Sequence, residues 1–172
     1  MKYFFDTEFI EDGKTIDLIS IAIVAEDGRE LYLGNRHCDF SKASQWVKDN
    51  VLVSMGFDFS NPNIPMRPID PRFWLTRDAI AKRVVEFCNP ELHGKPEFWA
   101  YYADYDWVVF CQLFGTMMDL PKGFPMYCRD IKQECDRLGN PKLPEQGKGE
   151  HNALDDARWN KKAYEFLRQL AN

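Results

Sequence analysis

Strand-length apolar runs separated twice by the same tripeptide, Glu-Asp-Gly, open this chain: residues 2–6, 16–25 and 29–33 carry the runs, and residues 11–13 and 26–28 the turns. Apolar runs bounded by acidic and glycine turn residues read as strands joined by tight connections, here an antiparallel meander. Helical patterns interleaved with short strands follow, so the pattern predicts an α/β fold with a mixed sheet covered by helices rather than a barrel or a bundle. A length of 172 residues with 45% hydrophobic content suits one core, and a single domain over residues 1–172 is expected.

Beyond the meander, Ser41 is placed to cap a helix through about Val51 with Trp46, Val47 and Val51 on its inner face. Residues 52–72 hold four prolines and are read as a long loop. Thr76 caps a helix to about Phe87, with Ile80, Val84 and Phe87 at helical spacing. Residues 97–103 read as a strand and YDWVVFCQLF as a buried helix directly after it; PMYC reads as a short strand before a helix from about Asp130 to Gly139. Another loop leads into a last helix from about Asn152 to Leu170, whose buried side is marked by Leu154, Ala157, Tyr164 and Leu167.

Composition excludes several classes. No run reaches the roughly 18–20 apolar residues of a membrane span, and the acidic, aromatic start lacks the regions of a signal peptide, so a cytoplasmic protein with no membrane partner is expected. Five cysteines without a CxxC pair argue against a disulfide framework and a zinc ribbon. A net charge of −5 disfavours holding long nucleic acid by blanket phosphate neutralisation, although acids gathered around divalent cations leave a working site neutral or positive.

The position of the acids therefore matters more than their number. Asp6 and Glu8 follow an apolar run, and strand alternation sends both side chains to one face. A buried carboxylate is costly unless it is paired, hydrogen-bonded or metal-bound. A second candidate is YADYDW, where Asp104 or Asp106 stands at a strand-to-helix junction, as a helix cap or as a ligand. The third is HNALDDAR, where helix geometry favours His151 with Asp155 unless His151 lies in the loop before the first turn, in which case Asp156 faces inward.

DTE near the N-terminus, YDW after a mid-chain strand and HNALDD near the C-terminus together resemble the three motifs of the DEDDh 3′→5′ exonucleases, which include ribonuclease T, oligoribonuclease and proofreading exonucleases. YFFDTEFIEDG, IDLISIAIVAEDGRE, YDWVVFCQLFG and HNALDDAR are more similar still to the mycobacterial-type, adenosine-preferring exoribonucleases. The resemblance implies a ribonuclease H-like mixed five-stranded sheet flanked by helices. It also implies that Asp6, Glu8, Asp106 and Asp156 are the acids and His151 the fifth member, because the family's second acid follows an aromatic residue and its histidine precedes the last aspartate by five positions. Two departures bear on sugar or base preference: Tyr102 stands where an asparagine is usual, and Ile10 and Glu11 replace small hydroxyl residues.

On that likeness the expected chemistry uses two Mg²⁺ ions, with Mn²⁺ as a substitute, clamping an in-line phosphoryl displacement. Asp6 would bridge both ions, Glu8 and Asp156 complete one site, Asp106 support the other, and His151 take a proton from the attacking water. The expected product is a nucleoside 5′-monophosphate from the 3′ end of single-stranded RNA or a short oligonucleotide. Phe9 is the expected wedge against terminal bases, with Tyr102 and Trp107 as lesser candidates and Ile10 near the terminal nucleotide; Arg67, Arg72 and Arg77 are candidate sources of positive charge. A homodimer is implied by the same likeness. The rival readings are a single-stranded DNA exonuclease, a catalytically silent nucleic-acid-binding module on the same fold, and a general metal-dependent phosphatase.

Overall fold

The computed structural model describes residues 1–57, 59, 72–147 and 149–171, apart from the side chain of Met117. Its frame is the predicted meander. β1 (Lys2–Glu11), β2 (Ile16–Ala25) and β3 (Glu30–Asn35) pair antiparallel, with Phe5 opposite Ile23 and Ala22 opposite Tyr32. The first connection is shaped by Asp12, whose Oδ1 accepts from the backbone N–H groups of Lys14 and Thr15 at 2.9 and 2.7 Å, and by Gly13 at φ 80°, a conformation that glycine adopts without steric cost.

Three short parallel strands complete the sheet. β4 (Trp74–Leu75) joins β3, β5 (Glu97–Ala100) joins β1, and β6 (Arg129–Asp130) joins β5, giving the order β4-β3-β2-β1-β5-β6. The sheet is mixed as expected but has six strands rather than five. The added strand is β4, two residues long and too short to carry an alternating pattern. The last strand forms at Arg129–Asp130 and not at PMYC.

Alternation along β1 divides the core. Tyr3 and Phe5 face a cluster with Ile21, Ile23, Phe98 and Phe110, where the Phe5 and Phe98 rings lie 5.6 and 4.9 Å from Phe110. That side is covered by α2 (Arg77–Phe87), capped by Thr76 as predicted, and α4 (Asp104–Gln112). Phe4 faces the other way, against Ile131, Tyr164 and Leu167. Here lie α5 (Ile131–Arg137), capped by Asp130, and α6 (Ala153–Leu170), capped by Asn152. Ala22 and Val24 meet Ala153 and Ala157 of α6 through small side chains, which brings the start of that helix close to the sheet.

Near the meander's tip the helix expected from Ser41 begins later. Ser41 belongs to a 3₁₀ turn at Phe40–Lys42 and bonds Asp39, while Ser44 caps α1 (Gln45–Val47). α1 passes directly into a π-helical turn, Lys48–Leu52, which buries Val51 and Leu52. Trp46, expected inside, is 55% exposed; five positions before Val51, it stands about 140° round an ideal helix from that buried residue. A short helix, α3 (Pro90–His93), precedes β5. The proline-rich stretch at residues 60–71, Arg67 included, lies outside the described residues. Among the described residues no helix is long and apolar enough to cross a membrane.

Two strand lengths decide where an opening forms. β5 pairs with β1 at residues 2–4 only. It was expected to run to residue 103, but the chain leaves the sheet after Ala100 and Tyr102 takes a left-handed φ of 55°. The rest of β1, carrying Asp6 and Glu8, continues with no partner strand on that side among the described residues.

The far edge of the sheet yields a stability test. A Cβ added at Gly34 would stand 2.5 Å from Phe73 Cε1 and 2.7 Å from Trp74 Cε3, so β4 packs there only because β3 carries no side chain at that point. Gly34→Ala is expected to lower stability by about 1–3 kcal/mol in urea unfolding.

Candidate active site

The site is assembled from both ends of the chain. Asp6 and Glu8 project from one face of β1, opposite Ala22 and Ser20 of β2, and the register slips between Glu8 and Phe9. Asp156 comes from the first turn of α6. Carboxylate oxygens of Asp6, Glu8 and Asp156 lie within 4.8 Å of one another, a spacing that one cation can span.

Asp106 joins from α4. It is 7% exposed, whereas Asp104 is exposed, and the N-cap position belongs to Ala103, so neither aspartate caps that helix. Thr7, pointing away from its two acidic neighbours, fixes Asp106: its backbone N–H and its hydroxyl both donate to Asp106 Oδ1, at 2.8 and 2.6 Å. A strand edge that would otherwise expose an unpaired N–H thus orients a carboxylate.

The other walls come from α6 and the loop before it. Asn160, one helical turn after Asp156, is buried and donates to the Phe5 carbonyl at 2.9 Å, pinning α6 to β1 beside Asp6. Asp155 turns away and pairs with Arg158 at 3.2 Å. His151 lies in the loop at φ 66°; its backbone N–H donates to Asp156 Oδ2 at 3.0 Å. Gln146 donates to the second oxygen of Asp156. Asp6, His151, Asp156, Tyr101, Trp159 and Asn160 line one cleft.

The electrostatics of this cluster are one-sided. Burial, then the charges of Asp106, Glu8 and Asp156, hold Asp6 well above the usual carboxylate range. Glu8 is pushed up to about 8 by burial, with Asp156 and Asp106 adding to it. Burial raises Asp156 to about 7 against the bonds from His151 and Gln146, and Asp106 to about 6 against the bonds from Thr7. Among the described residues no lysine or arginine forms an ion pair with any of the four. Carboxylates arranged like this suit a hard, oxygen-seeking cation.

The aromatic candidates separate by position. Phe9 stacks on Tyr105 with centroids 5.9 Å apart and planes 17° from parallel, next to Glu8. Tyr102 is exposed, its ring against Tyr101 at 4.6 Å. Trp107 stacks on Phe110 in the core. Ile10, expected near the terminal nucleotide, is 5% exposed among Ile19, Cys38 and Trp74, so its side chain anchors the end of β1 instead of facing the cleft. The register slip after Glu8 leaves Ile19 of β2 as the extra residue, and Ile10 packs with it in that cluster. Arg77 is engaged with Asp17 at 3.2 Å.

Several residues of the site were given no role by the sequence. Thr7 and Tyr105 sit beside named acids, yet only tertiary packing shows what they touch. Gln146 lies in a loop without pattern. Asn160 did carry a signal, being a polar residue four positions after Asp156 on the same helical face.

Comparison with known proteins agrees with the motifs. A family model described as the 3′-5′ exoribonuclease Rv2179c-like domain matches residues 1–167. The 3′-5′ exoribonuclease Rv2179c of Mycobacterium tuberculosis strain H37Rv is 40% identical over 158 residues, which cover 92% of this chain and 88% of the relative. The 3′-5′ exoribonuclease MT2234.1 of Mycobacterium tuberculosis strain CDC 1551 matches with the same identity and coverage. On the extent of both matches, the chain belongs to the Rv2179c-like 3′-5′ exoribonuclease domain family.

Proposed function

We propose that this chain is a single-domain, metal-dependent 3′→5′ exoribonuclease of the DEDDh type, removing nucleoside 5′-monophosphates from the 3′ end of single-stranded RNA. The observation that carries the reading is the meeting of Asp6, Glu8 and Asp156 within 4.8 Å, with no lysine or arginine ion pair to any of them among the described residues. Family membership supports the substrate class. The reading includes the adenosine preference and the homodimer that the likeness implies. All five cysteines stand as thiols, which suits a reducing cytoplasm.

The donor set fits Mg²⁺ or Mn²⁺, because it is all carboxylate oxygen with no sulfur. Asp6, Glu8 and Asp156 would hold one ion, and Asp106, oriented by Thr7, would help hold a second beside Asp6. When bound, such a pair neutralises charge on the attacking and leaving oxygens of an in-line displacement.

The chain's own groups do the rest. His151, on the cleft wall beside Asp156, takes the proton of the attacking water as its oxygen bonds to phosphorus. The 3′ oxygen of the preceding nucleotide leaves and is protonated, so the RNA ends in a new 3′-hydroxyl. The Phe9–Tyr105 stack beside Glu8 offers an aromatic surface for the terminal bases, and Tyr102 an exposed second one. Stacking of this kind tolerates any base and favours single strands.

Nucleotide release from a defined RNA 3′ end tests the reading directly. Asp6→Asn and His151→Ala, each checked for folding, are expected to slow release by at least about 100-fold. Undiminished release by a folded variant would remove that residue from the chemistry.

Stability against pH tests the charge arrangement separately. Glu8, Asp156 and Asp106 have folded values of about 8, 7 and 6, all above the reference values of about 4 for free carboxylates. The folded state therefore binds more protons, and its extra stability, complete at low pH, is lost as pH rises through this window. Without divalent cation the melting temperature is expected to fall between about pH 5 and pH 8, and Mn²⁺ to raise it more at pH 8 than at pH 6. A melting curve that rises with pH over this range would contradict the arrangement.

A further inference from the structure

Trp46 stands exposed at the rim of the cleft, next to His151. It is 55% exposed, yet its ring is not isolated: it meets the His151 imidazole at 4.8 Å between centroids with planes 77° apart. The segment that carries it is firmly seated. Ser44 caps α1 by accepting from the Val47 N–H at 3.2 Å. Asn50 donates to the Trp46 carbonyl at 2.8 Å. Val51 and Leu52 are buried in the cluster that also holds Ile10 and Ile19 of the sheet.

The same segment reaches the histidine a second time. Ser54 Oγ lies 2.7 Å from the Val51 carbonyl and 2.9 Å from the His151 carbonyl, its one proton serving both. On the opposite side the His151 backbone N–H is held by Asp156. The backbone at His151, at a positive φ that few non-glycine residues adopt, is thus tethered at both its N–H and its C=O. Those bonds fix the peptide, but they leave rotation of the side chain free. Among the described residues, Trp46 is the ring packed on the imidazole.

We infer that Trp46 is a positioning residue for the reaction: its edge-to-face contact selects the rotamer in which His151 faces the attacking water, with Ser54 as the backbone tether. This assignment rests on the nuclease reading above. Edge-to-face aromatic pairs have a defined geometry, so one ring can set the direction of another. Small errors in the placement of a reacting group are enough to slow a reaction by one to two orders of magnitude. The alternative use of an exposed tryptophan beside such a cleft is direct stacking on a substrate base, which would govern binding instead of turnover.

Steady-state release from a short RNA separates the two. Trp46→Ala is expected to lower kcat about tenfold with KM nearly unchanged, and Trp46→Phe, which keeps an aromatic edge, to recover most of the rate. In the His151→Ala background, adding Trp46→Ala should cost nothing further. A raised KM with kcat intact, or a full additional loss without His151, would overturn the assignment. Proton NMR gives a readout independent of activity: the His151 ring protons, identified by their loss in His151→Ala among only three histidines, should be displaced by the Trp46 ring current and return to ordinary positions in Trp46→Ala. His151 resonances indifferent to Trp46 would refute the contact itself, whereas a wild-type protein that releases no nucleotide but shows the displacement would refute the nuclease reading and keep the contact.

Discussion

Mutual repulsion among Asp6, Glu8 and Asp156 is the constraint around which the rest of this structure is arranged. Oxygens within 4.8 Å of one another correspond to about 3–4 kcal/mol for each fully ionised pair at the effective dielectric of a protein site. Without a cation, raised pKa values relieve part of that cost by protonation and the frame carries the rest, because no lysine or arginine among the described residues forms an ion pair with these acids. The frame meets it with an aromatic core on one side of β1 and small residues on the other. Phe5, Phe98 and Phe110 make one face rigid, while Ala22, Ala153 and Ala157 let α6 come near enough to deliver Asp156.

The opening itself follows from unequal strands. β1 is ten residues long and β5 only four, so the acidic half of β1 extends past its parallel neighbour. Edges of this kind carry unpaired backbone groups, which must be satisfied elsewhere. Here Asp106 accepts from the Thr7 N–H and Asn160 donates to the Phe5 carbonyl. The bonds that satisfy the edge also bring α4 and α6 to the site. Fold completion and site assembly are therefore the same event.

This duality explains what could be read from the sequence. The meander was visible because its turns repeat and its runs alternate, and α2 and α6 because Thr76 and Asn152 cap amphipathic stretches. The acids were visible because charge at the end of an apolar strand or at a helix start is conspicuous. Whether Asp104 or Asp106, and Asp155 or Asp156, faced inward was not decidable from helical geometry alone. The structure separates them by burial and partner: Asp106 meets Thr7, and Asp155 meets Arg158. That Ile10 packs among Ile19, Cys38 and Trp74 shows only in the tertiary structure, and Trp46 was placed on the face of Val51 although five helical positions separate the two. Gln146 and Ser54 act through loops, where sequence carries little periodic information.

An anomalous difference map from crystals grown with Mn²⁺ tests the central claim most directly. The account predicts a peak within about 2.5 Å of carboxylate oxygens from Asp6, Glu8 and Asp156 together, lost in Asp6→Asn. A well-ordered map with manganese elsewhere and none among these three side chains would contradict it.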